Sequence, residues 1–291
     1  MPTAGQLIDQ IVAQLHGWGS TQDRITPLSA DIGPSDTSFN VDATAGVSVG
    51  ITPGPVEIDS EQLYVASVDQ GSGNCVLADG FGRGFSGTTA ATHLNGTKVV
   101  SRPKFPRVWC LQQLNDVIGA VYPSLFRVDT FVTTVTYPKN SYTLPVQPPL
   151  RVLDVQWQNP LGNWERCFSY ELDPYDGTLR VGGGPMLGRP LRIAYSTEPS
   201  PFAGEADDFI TTTGLPLSCA DVLTLGVVAR QAPGLDLARA QITPVDPARP
   251  VPPGSAVAVA KYIMAMYQDR LKNEGITLRK QYRSFVVRTA Q

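Results

Sequence analysis

The chain has 291 residues, of which 42% are hydrophobic and 17% charged, and its net charge is −3. That length can bury more than one core, and no apolar run reaches the roughly 18 residues a membrane-spanning helix needs. The slight acidity argues against a dedicated DNA binder, which would carry a basic stripe. The first residues, MPTAGQLIDQ, have no basic region followed by an apolar core, so no secretory leader is expected.

Leu7, Ile8, Ile11, Val12 and Leu15 recur at helical spacing, with Thr3 placed to cap the start and Gly17 and Gly19 to stop the pattern. They predict a helix within a first segment, 1–20, where His16 near the end places favourable charge on the helix terminus. From Arg24 the texture turns to short alternating runs: Thr37–Val41, Val47–Ile51, Val56–Ile58, Gln62–Val68 and Asn74–Leu77. Turns rich in Gly, Pro and Asp separate them, which predicts a first β module, barrel or sandwich, over 25–102. The glycine-rich stretch from Gly80 to Val99 lies inside it. A phosphate-binding loop would need Lys and Ser/Thr directly after the last glycine, but Gly87 is followed by Thr88 and Thr89. These glycines are expected where the backbone needs positive φ.

Helical texture resumes over 103–124. Pro106 suits a first turn, Val108, Leu111, Leu114, Val117, Ile118 and Val121 share a face, and Pro123 ends it. A second β module is predicted over 127–200, from strands at 131–137, 141–144, 152–157, 164–169, 178–181 and 191–195. Asp176-Gly177 marks a hairpin, and Trp157 and Trp164 are placed in strand interiors. Residues 204–291 return to helix. An apolar helix runs from Ala220 to Arg230 and is expected to stop at Pro233-Gly234, followed by an extended proline-rich connector to Gly254.

The last helix, Ser255–Phe285, carries one apolar stripe. Val257, Met264, Leu271, Leu278 and Phe285 repeat every seven residues, beside Ala260, Ile263 and Tyr267. This stripe is assigned to the core or to an oligomer contact, with Gly275 expected as a bend or break. From Ala256 onward seven Lys or Arg face only Asp269 and Glu274, a net +5, which leaves −8 for the rest of a chain of −3. Lys272, Arg279, Lys280, Arg283 and Arg288 are therefore the candidate partner-binding residues. The fold class expected is α+β: a helical-bundle core interrupted by two inserted antiparallel β modules, with a long C-terminal helix.

No catalytic constellation is visible, and the chain is not expected to be an enzyme. His16 and His93 stand in unrelated contexts, and neither lies near a nucleophile motif. Cys75, Cys110, Cys167 and Cys219 are widely spaced, so neither a metal cage nor a redox pair is expected. The acid pair Asp207-Asp208 and the acids at Asp173 and Asp176 read as helix and turn caps rather than metal ligands. No cofactor and no metal are assigned. The 27 Gly and 25 Pro, combined with few charges, suit surfaces covered by neighbours in an assembly.

Three stretches carry a resemblance: Asp59 to Val65 (DSEQLYV), Arg83 to His93 (RGFSGTTAATH) and Gly96 to Val99 (GTKV). Together they resemble a β module that recurs in virion proteins of tailed phages. The helix ending in Ala120 to Leu125, the strands of Trp157 and Trp164, Asp173 to Val181, Thr213 to Pro216 and the helix around Tyr262 to Tyr282 extend it. In this wider arrangement the chain resembles the head–tail connector (adaptor) proteins of long-tailed, siphovirus-type phages. The resemblance implies a homo-oligomeric ring, commonly a dodecamer, in the virion neck beneath the portal, made in the host cytoplasm. Implied partners are the portal protein, a stopper or tail-completion protein, and the major capsid protein. Genomic DNA would pass through the lumen without sequence-specific binding, and no membrane is involved. A minor tail or baseplate protein is the alternative reading. A β-sandwich glycan-binding protein is a further one, whose sign would be an exposed aromatic residue.

Overall fold

The computed structural model describes residues 1–17, 23–43, 49–136, 141–145, 151–173, 175–182, 185–242 and 255–282, the side chains of 232–242 and 255–259 excepted. Its class is α+β. Helix α1 (Ala4–Gly17) starts at a reciprocal capping box: Gln6 N donates to Thr3 Oγ1 at 3.3 Å, and Thr3 N donates to Gln6 Oε1 at 3.1 Å. Helix α2 (Arg107–Val121) follows the first set of strands, and α3 (Phe209–Thr213), α4 (Ala220–Ile242) and α5 (Ser255–Gln281) follow the second.

The long helices share one core. Leu7, Ile8, Ile11 and Leu15 of α1 meet Leu114, Val117 and Ile118 of α2, Val222, Leu223 and Val227 of α4, and Ala260 and Ile263 of α5. Helix α4 packs against each of the other three. Gly226 permits this, because a Cβ there would lie 2.7 Å from Val117 Cγ1 and 2.9 Å from the Tyr267 ring.

Six antiparallel strands form the first module: β1 (Arg24–Pro27), β2 (Ser38–Asn40), β3 (Gly54–Ile58), β4 (Glu61–Val68), β5 (Asn74–Leu77) and β6 (Lys98–Ser101), ordered β1-β6-β3-β4-β5-β2. The two edges then meet. Leu28 bridges Val41, Ser29 N donates to Asn40 O at 3.0 Å, and Asp42 N donates to Pro27 O at 3.0 Å, so the sheet closes into a barrel. Closure removes the free edges that an open sheet leaves.

The second module is a sandwich of two sheets. One holds β7 (Arg127–Thr134), β9 (Arg151–Gln158), β10 (Trp164–Arg166) and β13 (Pro190–Thr197), ordered β10-β9-β13-β7. The other holds β8 (Ser141–Thr143), β11 (Tyr170–Leu172) and β12 (Thr178–Val181), ordered β11-β12-β8. Tyr142, Val155, Leu179, Leu191, Ile193 and Tyr195 fill the space between them.

Several expectations change. Helix α4 does not stop at Pro233-Gly234 but continues to Ile242. The extended connector thus shrinks to 243–254, which lies outside the described residues. Strands β1, β6 and β11 were not predicted. Val49–Ile51, expected within a strand, joins no sheet, and side chains hold it instead: Thr26 Oγ1 donates to Val49 O at 2.8 Å and Gln70 Nε2 to Ile51 O at 2.7 Å.

Gly275 does not break the helix. Helix α5 runs through it, and a Cβ there would lie 2.9 Å from the Ser124 carbonyl oxygen. The stripe of α5 also divides. Met264 and Leu271 pack on the helical core, whereas Leu278 joins Phe126 and Leu153 in a separate cluster against the sandwich. Arg151 Nη2 donates to Tyr282 O at 3.2 Å beside that cluster, placing a cation at the helix C-terminus where the backbone dipole favours it. The side chain of Val257 and all of Phe285 lie outside the described set.

Candidate assembly surfaces

The motif residues of the barrel converge on one carboxylate. Glu61 opens β4 and is fully buried. Arg83 grips it with two bonds, Nε to Oε1 and Nη2 to Oε2, both at 2.8 Å. Gly84 N and Ala91 N each donate to it at 3.0 Å, and His93 Nε2 lies 2.9 Å from Oε2. The other imidazole nitrogen, Nδ1, lies 2.8 Å from Asp59 Oδ2. Burial pushes the Glu61 carboxyl up, but these bonds outweigh it and hold the group down at about 2. The glycine-rich stretch is thus a strap pinned to the barrel by its own charged residues. Gly84 has φ 60°, and a Cβ there would meet Thr88 O at 2.7 Å. The pinned strap presents Phe81, 53% exposed, in a ring cluster with Tyr64 and Phe85.

Helix α5 turns a second face outward. Of the candidate cations, Lys272, Arg279 and Lys280 are exposed on it with Lys261, while Arg283 and Arg288 lie outside the described residues. Arg270 bonds the Asp221 carboxylate at the start of α4 and lies 3.9 Å from Glu274, so its charge is locally spent. Between the cations stand Tyr262, Met266 and Ile276, at 67%, 40% and 40% exposure. Tyr262 is one of the tyrosines that interleave with the charges in the sequence, whereas Met266 and Ile276 were not singled out there. The signal for Met266 and Ile276 was their place off the main stripe, at positions that turn to the opposite side of the helix.

The sandwich exposes Leu161, Phe168, Met186 and Leu187 around its loops. Trp157 is half-buried against the sandwich core. Trp164, expected in a strand interior, instead begins β10 on the outside, with the Arg192 guanidinium 4.4 Å from its ring centroid. The acids act as caps: Asp208 Oδ1 accepts from Thr211 N at 3.0 Å, Asp207 Oδ2 from Gly204 N at 3.0 Å, and Asp176 Oδ1 from Thr178 N at 2.8 Å. Among the described residues no group of three His, Cys, Asp or Glu is placed to hold a metal ion. The four cysteines are buried and unpaired, and burial pushes the Cys75 and Cys167 thiols up to about 11.

No family profile and no curated protein matches the chain. Among solved structures it is similar at 17% identity to a chain in the neck of a native GTA (gene transfer agent) particle computed with C12 symmetry. That match has a TM-score of 0.23 and covers 53% of this chain and 81% of that one. Chains from the neck of an empty particle computed with C6 symmetry (17% identity, TM-score 0.23, 54% and 78% covered) and from the native virion (17%, 0.20, 54% and 76%) are similar to the same degree. TM-scores of that size carry no argument about fold or role.

Proposed function

We propose that the chain is a structural virion protein of a tailed-phage-type particle. In this reading it is a head–tail connector, forming a ring below the portal and joining the capsid vertex to the tail. The observation that carries the reading is the knot around Glu61. The residues by which the barrel resembles a tailed-phage virion module are the ones that build it, so the resemblance lies in structure-bearing residues rather than in composition. Exposed apolar residues on the strap, on α5 and on the sandwich loops suit a subunit that neighbours cover. The role is assembly, not catalysis.

The exposed cations of α5, Lys272, Arg279 and Lys280, continued by Arg283 and Arg288, dock on an acidic surface of the portal. The acidic remainder of the chain lets DNA slide through the lumen without adhering. A stopper or tail-completion protein binds the far side of the ring. Negative-stain images of the purified protein, alone and mixed with portal rings, test the reading. A closed ring with a central channel that stacks on the portal is expected. A trimer or fibre would favour the tail reading instead. Removing residues 276–291 is expected to abolish stacking, and unchanged stacking would sink the docking assignment.

A further inference from the structure

A cavity of about 480 Å³ opens where the strap of the barrel faces the start of α2, lined by Gln62, Ser86, Phe105, Pro106, Trp109 and Gln112. Its apolar wall is a pair of stacked rings. Phe105 and Trp109 lie 6.4 Å apart between centroids, inclined by 27°, and Pro106 adds its own ring beside them. Phe105 is buried and Trp109 is half-buried against the helical core, so packing beneath the cavity holds the wall in place. The rim is polar. Ser86 and Gln112 are exposed, and their hydroxyl and amide, with the Trp109 indole N–H, are hydrogen-bond donors. Stacked aromatic rings bordered by donors suit a polyproline II segment, whose carbonyls have no internal partners and whose side chains repeat every three residues.

The helices lead one such segment to this place. Gln231 of α4 bonds Gln113 of α2 at 3.0 Å, and Gly226 lies against Val117 of α2 and Tyr267 of α5. Arg270 of α5 bonds Asp221 of α4, so α4 runs antiparallel to both neighbours. Helix α2 begins at Arg107, about 9 Å before Gln113 at 1.5 Å per residue, whereas α4 continues about 16 Å beyond Gln231. Helix α5 starts at Ser255, about 18 Å before Tyr267. The chain therefore leaves α4 and enters α5 at the end of the bundle where α2 starts. Between them the sequence is TPVDPARPVPPG, Thr243 to Gly254, with Pro244, Pro247 and Pro250 at three-residue spacing. At about 3.1 Å per residue in polyproline II, this segment can span roughly 37 Å. Packed helices stand only about 8–10 Å apart, so length is left over to lie along the cavity.

We propose that the aromatic groove of Phe105, Pro106 and Trp109 is a docking site for the chain's own proline-rich segment, 243–254. Pro244, Pro247 and Pro250 share one face of a three-residue repeat and meet the ring wall. The Trp109 indole, Ser86 and Gln112 donate to the carbonyls of the segment.

The test adds the synthetic peptide TPVDPARPVPPG to the full chain and to a full-length variant whose residues 243–254 are replaced by a Gly/Ser linker of equal length. Titration calorimetry reads the binding. The linker variant is expected to bind the peptide, and the wild type roughly tenfold more weakly or less, because its tethered segment competes at an effective concentration of about a millimolar. No binding to the linker variant, or equal binding to both chains, overturns the proposal. A wild type that excludes the peptide when concentrated and binds it when diluted places a second copy's segment in the groove, and overturns the assignment to the same chain. A peptide with Ala in place of the three prolines leaves the groove untouched and is expected to bind roughly tenfold more weakly; equal binding overturns the polyproline reading. In the linker variant, Trp109→Ala is expected to remove the binding. Gln112→Ala, at an exposed position on the rim, keeps the test open if Trp109→Ala disturbs the core, and is expected to weaken binding several-fold. A peptide indifferent to both substitutions overturns the groove as its site.

Discussion

The two β modules interrupt the same helical core, yet opposite physics holds them. The barrel closes on itself, buries a carboxylate knot at Glu61, and reaches α2 through a second buried carboxyl at Glu57. The sandwich leaves β10 and β7 as sheet edges, fills its interior with side chains such as Val155, Leu191 and Ile193, and meets α5 through Phe126, Leu153 and Leu278. Within the barrel the contrast sharpens. Glu57 and Glu61 sit on one hairpin, directly cross-strand from Gln62 and Ile58, and their carboxyls are driven in opposite directions, to about 7 and about 2. Burial raises both. Glu61 receives donors from Arg83, Gly84, Ala91 and His93, whereas Glu57, among the described residues, accepts from the backbone N–H of Arg107. Burial sets the direction of the shift only where bonds are few.

The largest effect expected from breaking this comparison is at Glu61. Glu61→Ala leaves the Arg83 guanidinium, 12% exposed, without its carboxylate partner, and losing one partner of a buried pair costs about 3–5 kcal/mol. Urea unfolding of the variant reads it; a cost under about 1 kcal/mol would show that water replaces the knot. The pH dependence follows from the same group. Its folded value is depressed from 4.5 to about 2, so its contribution is present above about pH 4.5 and disappears as pH falls through 2. The shift corresponds to about 3 kcal/mol. The urea midpoint of the wild type should fall across that window, and that of Glu61→Gln should fall less.

On the sandwich side the corresponding test is apolar. Leu278→Ala removes a side chain that is 4% exposed between α5 and the sheet, at an expected cost of about 2–3 kcal/mol. Because the three buried residues of this cluster, Phe126, Leu153 and Leu278, carry no ionisable group, the cost should be the same at pH 5 and pH 8. A pH-dependent cost would break the distinction between the two attachments.

The helices were legible where local chemistry agreed with spacing. Thr3 and Gln6 cap α1, and the 3.6-residue pattern of Leu114, Val117, Ile118 and Val121 buries one face of α2. The end of α4 differs because Pro233-Gly234 is only a local stop signal, and the helix runs through it to Ile242. Gly275 looked like a weak point in a helix, since nothing in the sequence says that Ser124 approaches it. The strap motif was recognisable as a pattern, but its reason was hidden. Glu61, Arg83 and His93 are 22 and 32 residues apart along the chain, and only barrel closure brings them to one carboxylate. Likewise the stripe of α5 announced a buried face without saying that Leu278 would leave the bundle for the sandwich.

The smallest effect concerns charge that is not buried. Arg270 binds Asp221, which lies in the first turn of α4 where the helix dipole already favours an acid. Both side chains are nearly half exposed, at 44% and 48%. Solvent screens such a pair and two long side chains must be ordered to form it, so Arg270→Ala should cost under about 1 kcal/mol, and less at high salt. The same substitution should leave the proposed stacking on the portal unchanged, because this charge is already spent within the chain. Lys272→Glu is the reciprocal case: it should leave the urea midpoint in place and weaken stacking. If Arg270→Ala instead destabilised the chain as much as Glu61→Ala, burial would not be what separates the knot from the surface pair. If Lys272→Glu left stacking intact, the outer face of α5 would not be the docking face.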